Sequence, residues 1–559
     1  MLKRKKPLVR LFICILICFT ALLAVSCPEA DSESNSVANT EEPEQPPALA
    51  ALFNTISLAT PFKAYNHGNP ITTQNFGADP YAIVYDERVY IYMTGDTPSY
   101  NQQGQPLRNT YDDITTIRVV SSSDLVNWQE HPAIKVARGE GAASWAQRSW
   151  APAFAYKEIN GQVKFFLYFA NGAGGIGVLS ADSPVGPFND PLGRQLISSA
   201  TPNTSGIVWL FDPAVLVDDD GTGYLYFGGG TPDNGKSADT FESRHPDPQN
   251  IRVAKLGADM ISLDNNPVLL DAPFSFEDSG INKIGNTYYY SYCSNPQVAH
   301  YATRPDEFPE AAHIGKSLSI VYMTSDNPMT GFTLGNMIMD NPGPMLNIKG
   351  GNNHHCMFEF RGRWYMAYHS RLLADAMGLD APELSAAGLS GDGEGYRVTS
   401  IDSVTINNGV INEVRATREG PPRAGTLNPY YLTDAATIAV MAGITTKETP
   451  NRMVVTGVSS GSWIAVKGVA FGSAGASRLK CHVTPPAVGK VVIQIRQGGL
   501  SGNNMMRAGY VEIPAGSPAE LSVDLLTTIT GTHDIVFVFA AEGGDEAEGF
   551  EFIQWQFLN

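Results

Sequence analysis

The chain has 559 residues, a formal net charge of −18 and 43% hydrophobic residues. It is too long for one ordinary hydrophobic core, so we expect two or more domains. The many Gly, Pro and Tyr residues favour short strands joined by turns over long helices. The negative charge argues against nucleic acid or an anionic membrane surface as the main partner, whereas a neutral polysaccharide is compatible with it.

The N-terminus has the pattern of an export signal. A basic start, MLKRKK, precedes the apolar run LVRLFICILICFTALLAV, which has the length of a long signal-peptide core. Small residues then lead to Cys27 in a pattern that resembles a bacterial lipobox, although Ala24 stands where Leu is commoner. We therefore expect residues 1–27 to be a lipoprotein signal peptide, with Cys27 lipidated and the exported protein held at the bacterial cell envelope, on the cell surface or in the periplasm. An uncleaved anchor and an ordinary signal peptide remain alternatives.

Residues 28–50 separate this signal from the rest of the chain. They are rich in Glu, Ser, Ala and Pro and show no apolar periodicity. Such a composition cannot bury enough apolar surface to offset the entropy of ordering, so it predicts a disordered tether.

Cysteine usage does not indicate a disulfide-rich protein. After Cys27 the sequence contains only Cys293, Cys356 and Cys481, at scattered positions. An exported chain of this length with three such residues is not a disulfide scaffold. A bridge between Cys293 and Cys356 stays open at this point.

Five segments of the chain repeat one pattern: an inner-strand candidate, a turn carrying Gly or charge, and a second apolar or aromatic strand. They recur roughly every 60–75 residues. Repeated antiparallel units that cannot bury both faces alone stack around an axis, so residues 51–420 are predicted to form a five-bladed β-propeller. A β-sandwich is the alternative, but it lacks such a long period. The segments are ADPYAIVYDERVYIYMTG (78–95), WAPAFAYKEINGQVKFFLYFA (150–170), FDPAVLVDDDGTGYLYFGG (211–229), EDSGINKIGNTYYYSYCS (277–294) and HHCMFEFRGRWYMAYHS (354–370).

Acidic residues head three of these repeats. Asp79, Asp212 and Glu277 stand where the first strand of a blade would enter the central channel. Glycoside hydrolysis needs two carboxyl groups with divided acid and base roles, and a third nearby carboxylate raises the pKa of the acid. These three residues are therefore the candidate catalytic group. Each alone is also compatible with an ordinary turn or strand entry, and Asp278 is the rival of Glu277.

Taken together and in order, the five segments resemble glycoside hydrolase family 43 over residues from about 60 to 418. The resemblance implies a five-bladed propeller enzyme that acts on arabinose- and xylose-containing glycans. It also implies roles for the three acids: general base for Asp79, pKa modulator for Asp212 and general acid for Glu277. Asp278 would then be a strand-entry residue.

The same resemblance points to further site residues. Arg397 in EGYRVTSIDS matches an arginine that approaches the reactive sugar, with a surface ion pair as the alternative. His354 or His355 in NNHH matches a histidine near the propeller axis that is a candidate ligand for calcium or another ion; no other cofactor is required. Trp150 heads the second blade, where no acid stands, and Trp150 and Trp145 can each offer a ring to a sugar or pack in the core.

Residues 428–559 change to a pattern of short strands that predicts a jelly-roll-like β-sandwich. They resemble carbohydrate-binding module family 6, notably in NPYYLTDAATIA, GSWIAVKGVAFGSAGASRLKCHV, GTHDIVFVFAA and FEFIQWQF. Two departures stand out. Only Asp434 remains where the family carries Glu-x-Glu of a calcium site, and PNRMVVTG and PAGSPAELSVDL have no aromatic residue for sugar stacking. We therefore expect the fold without strong sugar binding.

These observations predict an all-β, exported, lipid-anchored and monomeric glycosidase. Its expected action is to release α-L-arabinofuranosyl or β-D-xylosyl units from plant cell-wall polysaccharides such as arabinoxylan, by an inverting acid/base mechanism. A catalytically inactive, lectin-like propeller is the first alternative and a solute-binding or structural envelope protein is the second. The presence of all three carboxylates favours the enzyme.

Overall fold

A computed structural model of the protein describes residues 46–231, 249–386, 395–542 and 546–559. The signal predicted for residues 1–27 and most of the predicted tether lie outside these ranges. Across them, no helix has both the length and the apolar character needed to cross a bilayer. The helices there are short: α1 (Pro47–Thr55), α2 (Val298–Tyr301), α3 (Pro309–Ile314), α4 (Pro342–Leu346), α5 (Leu372–Ala376) and α6 (Pro382–Ala386).

Five antiparallel sheets form the propeller, which confirms the predicted architecture. Blade one contains β1 (Ala78–Tyr85), β2 (Arg88–Thr94), β3 (Thr116–Ser122) and β4 (Trp128–Lys135), and blade two contains β5 (Trp150–Ile159), β6 (Gln162–Ala170) and β7 (Ile176–Ala181). Blade three contains β8 (Ala214–Val217), β9 (Gly223–Phe227), β10 (Arg252–Lys255) and β11 (Val268–Leu269). Blade four contains β12 (Ser275–Ile284), β13 (Thr287–Ser294), β14 (Ile320–Ser325) and β15 (Thr333–Met339). Blade five contains β16 (His355–Phe360), β17 (Arg363–Ser370) and β18 (Val398–Val404).

The first strand of each blade contacts the first strand of the next, and β16 contacts β1, so the ring is closed. Aromatic residues fill the space between blades. Tyr92 of blade one stacks on Phe154 of blade two with ring centroids 3.8 Å apart, and Tyr226 stacks on Tyr290 between blades three and four at 5.7 Å. This packing leaves the strand heads around one central channel.

An N-terminal segment joins the last blade. Ile71 donates its backbone N–H to Thr399 and Gly77 donates to Arg397, both at 3.0 Å, so the segment runs along β18. Blade five therefore contacts a segment from the N-terminal end of the propeller, and this contact ties the two ends of the ring together.

The C-terminal region forms the predicted β-sandwich, after a small hairpin of β19 (Ile406–Asn407) and β20 (Val410–Ile411). Its core buries apolar and aromatic side chains such as Trp555, Phe537 and Phe552. Strand β22 (Thr437–Ile438) departs from the sandwich and extends blade one by pairing with β4. The remaining strands are β21 (Thr433–Asp434), β23 (Val440–Ala442), β24 (Thr445–Glu448), β25 (Met453–Thr456), β26 (Trp463–Thr484), β27 (Lys490–Gln497), β28 (Met506–Pro514), β29 (Glu520–Glu542) and β30 (Glu551–Leu558).

Helix α1 corrects the predicted extent of the tether, because residues 47–50 are helical. The segment PALAALFNT begins with Pro at the first helical position, where its missing N–H costs nothing. Leu49, Leu52 and Phe53 pack with Trp463 and neighbouring residues on one face of the sandwich. Apolar contact therefore orders this part of the chain.

Among the described residues the cysteines are free and buried. This holds for Cys293, Cys356 and Cys481. The Cys293–Cys356 bridge that the sequence left open is absent from the structure.

Candidate active site

Four blades begin with a residue in the left-handed backbone region. Asp79 has φ 48°, Ala151 39°, Asp212 47° and Asp278 68°. This region is sparsely populated by residues other than Gly, and such residues cluster at functional sites. In blades one, two and four the strand register also shifts beside this residue. These irregularities redirect the side chains at the strand heads, as bulges do elsewhere.

The strand heads surround a cavity of about 620 Å³. Six of the residues singled out from the sequence line it: Asp79, Asp212, Glu277, Arg397, Trp150 and His354. They come from all five blades or the segments that lead into them. The fold therefore brings together side chains that are more than 300 positions apart in the sequence.

The Asp79 carboxylate is held through one oxygen. Its Oδ1 lies 2.9 Å from Arg397 Nη1, 3.0 Å from His369 Nδ1 and 3.6 Å from His354 Nδ1. Burial alone raises the pKa of a carboxyl, but the guanidinium of Arg397, with help from His354 and His369, holds the pKa of Asp79 well below its usual range. Asp79 is therefore ionised. The three contacts above all involve Oδ1, so Oδ2 is the oxygen that can bind a water or substrate.

Arg397 also binds a second aspartate, Asp96, which the sequence analysis missed. Its Nη2 donates to Asp96 Oδ1 at 2.9 Å and its Nε donates to Asp96 Oδ2 at 3.0 Å. The guanidinium also lies 4.4 Å from the ring centroid of Tyr111. Because Arg397 is only 5% exposed, this is a buried network and not the surface ion pair considered above.

Glu277 has the opposite electrostatic environment from Asp79. Burial raises its pKa well above the usual range, and the charges of Asp212, Asp79 and Asp278 raise it further. Its Oε1 has no hydrogen-bond partner within the described part of the chain. Glu277, whose pKa is raised, therefore shares the cavity with Asp79, whose pKa is lowered, and acid/base chemistry requires this division of pKa values.

Asp212 connects these two groups. Burial and the charge of Asp79 raise the pKa of Asp212 well above its usual value. Its Oδ2 accepts the backbone N–H of Asp278 at 2.9 Å. The Asp212 carboxyl group thus lies where its charge raises the pKa of Glu277, and a hydrogen bond from blade four fixes its orientation.

His354, the candidate ion ligand, lies between three carboxylates. Its Nδ1 lies 3.6 Å from Asp79 and 3.8 Å from Asp212, and its Nε2 lies 3.2 Å from Asp278 Oδ1. Burial lowers the pKa of His354. Over the described ranges no group of three or more His, Cys, Asp or Glu side chains is arranged to hold a metal. Both ring nitrogens of His354 already face carboxylates, so no chemical step is assigned to an ion here.

The two predicted tryptophans lie in different surroundings. Trp150 lines the cavity and its Nε1 donates to the carbonyl of Tyr111 at 2.9 Å. Trp145 does not line the cavity, which corrects its predicted contact with substrate there. Its Nε1 donates to Asp190 at 2.6 Å and its ring packs against Phe169 with centroids 6.0 Å apart. It is a packing residue of blade two.

A second aromatic group in the cavity was not found from the sequence. Trp209 meets Phe211 edge-on at 5.2 Å and Phe276 at 5.7 Å. Phe211 and Phe276 directly precede Asp212 and Glu277 in the sequence. This position next to the candidate acids is the sequence signal that could have identified them. With Tyr111 and Trp150, these rings give the cavity apolar surfaces next to its charges.

Comparison with known proteins identifies the family. Residues 67–411 match glycosyl hydrolases family 43 and residues 434–559 match carbohydrate binding module family 6. The chain belongs to glycosyl hydrolases family 43. It is therefore a glycosidase with a C-terminal module, and the lectin-like and structural alternatives are not supported.

Two relatives cover most of this glycosidase. An arabinoxylan arabinofuranohydrolase of Paenibacillus polymyxa is 42% identical over 511 residues, which span 89% of this chain and 75% of the relative. One of Bacillus subtilis is 41% identical over 526 residues, which span 91% of this chain and 95% of the relative. A crystal structure of a family 43 arabinoxylan arabinofuranohydrolase from Bacillus subtilis in complex with cellotetraose has a TM-score of 0.79 at 39% identity, covering 89% of this chain and 99% of that one.

Proposed function

We propose that this glycosidase releases α-L-arabinofuranosyl units from arabinoxylan. The observation that carries the proposal is that Asp79, whose pKa is lowered, and Glu277, whose pKa is raised, line the same cavity. The relatives named arabinoxylan arabinofuranohydrolases, at 42% and 41% identity, supply the substrate class.

The proposed mechanism assigns one task to each carboxyl group. Glu277 donates its proton to the glycosidic oxygen of the leaving xylan chain. Asp79 accepts a proton from a water through Oδ2, and that water attacks the anomeric carbon from the opposite face, which inverts its configuration. Asp212 helps to keep the proton on Glu277 before the reaction, and Arg397 holds the base in place.

The aromatic rings of the cavity account for the choice of a neutral sugar. Aromatic faces stack on the apolar faces of sugar rings and need no opposite charge. Tyr111 and Trp150 provide one such surface, and Trp209 and Phe276 provide another. We propose that these surfaces hold the arabinosyl unit and the adjacent xylan chain beside the carboxyl groups.

Product analysis tests this function. The purified protein is incubated with arabinoxylan, with unsubstituted xylan as a matched polymer, and the released pentoses are separated by chromatography. We expect arabinose from arabinoxylan and no xylose from either polymer. Xylose as the main product would replace arabinofuranosyl with β-D-xylosyl specificity, and no pentose from either would contradict the proposal.

We also propose that the protein acts at the bacterial cell envelope through a lipid on Cys27. The basic start, the apolar run and the small residues before Cys27 support this location. A lipid anchor followed by a polar tether would place the glycosidase where large polysaccharides are met outside the cytoplasm.

A further inference from the structure

Asp278 follows the acid Glu277 directly, yet it lies outside the substrate cavity. Its side chain is 0% exposed, and Glu277 lines the cavity while Asp278 does not. In blades one and three the left-handed residue is itself a cavity acid, but in blade four the left-handed residue is Asp278 and the cavity acid precedes it. Two consecutive carboxylates therefore have different surroundings.

The Asp278 carboxylate faces both axial histidines. Its Oδ2 accepts a hydrogen bond from His355 Nδ1 at 2.5 Å, and its Oδ1 lies 3.2 Å from His354 Nε2. His355 Nε2 in turn lies 2.8 Å from Ser291 Oγ on the neighbouring strand. These contacts connect blade four to blade five, and the contact with His354 holds the ring whose Nδ1 faces Asp79 and Asp212.

The backbone of Asp278 makes a further contact with the site. Its N–H donates to Asp212 Oδ2 at 2.9 Å, so the residue after the acid orients the carboxylate that modulates the acid. A fixed donor of this kind matters because small misplacements of reacting groups reduce turnover strongly.

We propose that Asp278 is a positioning residue of this active site, which orients Asp212 and the axial histidines around Glu277 without touching substrate. The inference rests on the proposed function, because it assumes that Glu277 is the acid. It also explains why Glu277 and Asp278 occur together: the first reacts with substrate and the second organises its surroundings.

The charge of Asp278 has a predictable effect on the acid. It raises the pKa of Glu277 together with burial, Asp212 and Asp79, which have larger effects. Neutralising Asp278 should therefore lower the pKa of Glu277, by less than neutralising Asp212 does. The titratable and charged groups that face Glu277 or Asp278 from the surrounding strands are Asp79, Asp212, Arg397, His354, His355, Tyr290, Cys293 and Cys356.

The test compares Asp278→Asn with a matched variant, Asp402→Asn. Asp402 is another buried aspartate, which accepts a hydrogen bond from Tyr368 at 2.7 Å and does not line the cavity. Kinetics on arabinoxylan are measured across pH, with thermal unfolding of each variant. We expect Asp278→Asn to lower kcat about 10- to 100-fold and to leave KM nearly unchanged. It should also move the alkaline limb of the kcat–pH profile to lower pH. Asp402→Asn should change stability but not the limb. An unshifted limb in folded Asp278→Asn would overturn the inference.

A second comparison separates positioning from direct proton donation. With p-nitrophenyl α-L-arabinofuranoside, whose leaving group needs no protonation, Glu277→Gln should keep most of its activity while losing that on arabinoxylan. If Asp278→Asn shows this pattern and Glu277→Gln remains active on arabinoxylan, Asp278 is the acid and the inference is wrong. If Asp278→Asn does not fold, the activity of Glu277→Gln on arabinoxylan decides whether Glu277 or Asp278 is the acid. Absence of pentose release by the unmodified protein would instead refute the proposed function.

Discussion

Arg397 joins two buried aspartates of the site, Asp79 and Asp96, at 2.9 Å from each. Buried charges are tolerated only when they are paired and hydrogen-bonded. The guanidinium therefore has two roles at the residue scale. It balances the charge of Asp96 and it keeps the base ionised in the cavity.

Replacing Arg397 with Ala should destabilise the protein by about 3–5 kcal/mol at neutral pH, because two buried carboxylates lose their partner. The folded-state pKa of Asp79 lies below its unfolded value, so this stabilisation is present above about pH 4 and is lost as pH falls through the folded-state pKa. The difference in the free energy of unfolding between Arg397→Ala and the unmodified protein should therefore become smaller at acidic pH. Urea unfolding at about pH 7 and about pH 2.5, which lies below the unfolded-state pKa, measures it.

Arg138→Ala is the matched control, because Arg138 makes an exposed ion pair with Asp113 at 3.1 Å. Exposed pairs contribute roughly 0–1 kcal/mol. An equal loss of unfolding free energy in Arg397→Ala and Arg138→Ala would contradict the buried network around Arg397.

Asp212→Asn should move the alkaline limb of the kcat profile to lower pH. After burial, the charge of Asp212 is the largest cause of the raised pKa of Glu277, so its removal lets the acid lose its proton sooner. Asp218→Asn is the control, because Asp218 lies in the same blade but is paired with Lys283. A limb that stays in place or moves to higher pH in Asp212→Asn would argue against its role as modulator.

The sequence could predict the acids but not the network that holds them. Asp79 and Asp212 precede Pro at strand heads, and this repeated local pattern is visible without a structure. Asp96 and His369 reach the site only through the folding of distant strands, and no local pattern marks them. Trp145 and Trp150 are close in sequence and similar in type, so only the packing of blade two distinguishes them.

At the scale of elements, the sandwich is joined to blade one by backbone and side-chain contacts. Ile438 of β22 pairs with Trp128 of β4. Asp434 accepts hydrogen bonds from Gln129 at 2.9 Å and from Arg452 at 2.8 Å. Asp434, which stands where related modules carry a calcium motif, thus contributes to the interface between propeller and sandwich.

Phe53→Ala should destabilise the protein by about 3 kcal/mol, because the ring on α1 is buried against the sandwich. Phe62→Ala is the control, since Phe62 is 49% exposed and should change stability by less than about 0.5 kcal/mol. Thermal unfolding of the two variants compares them directly. If Phe53→Ala were as stable as Phe62→Ala, the packing of α1 would not stabilise the sandwich.

Most elements follow from their local sequence, and the exceptions depend on tertiary contact. The segment SSSDLVNW (121–128), with Ser, Asp and Asn between apolar residues, has the composition of a turn, and it contains the end of β3 and the start of β4. Helix α1 was missed because PALAALFNT is rich in Ala and follows a Pro-containing polar run. A nine-residue helix is marginal by itself, and its packing on the sandwich stabilises it. The segment that closes blade five has no strand periodicity of its own.

At the scale of the whole molecule, the propeller should account for polysaccharide binding. Trp209→Ala should weaken retardation of the protein in xylan-containing gels, since the ring lines the cavity. Tyr431→Ala removes a sandwich aromatic that is 72% exposed and should leave retardation unchanged. Loss of retardation only in Tyr431→Ala would assign binding to the sandwich.

Location depends on the other end of the chain. If the proposed anchor is correct, Cys27→Ala should move the protein from the membrane fraction to the soluble fraction or leave an unprocessed precursor, because the residue proposed to carry the lipid is lost. Fractionation of producing cells, followed by immunoblotting, measures this. A variant with unchanged size and unchanged membrane association would rule out lipidation at Cys27.

In the proposed mechanism, Asp79 and Glu277 act as base and acid across a space that admits a water. Such a pair inverts the anomeric centre, and its carboxyl groups are typically separated by about 6.5–9.5 Å. Proton NMR of the first sugar released from an α-L-arabinofuranoside tests this most directly, before mutarotation mixes the anomers. We expect β-arabinose as the initial product, and α-arabinose, with retained configuration, would rule out this arrangement of base and acid.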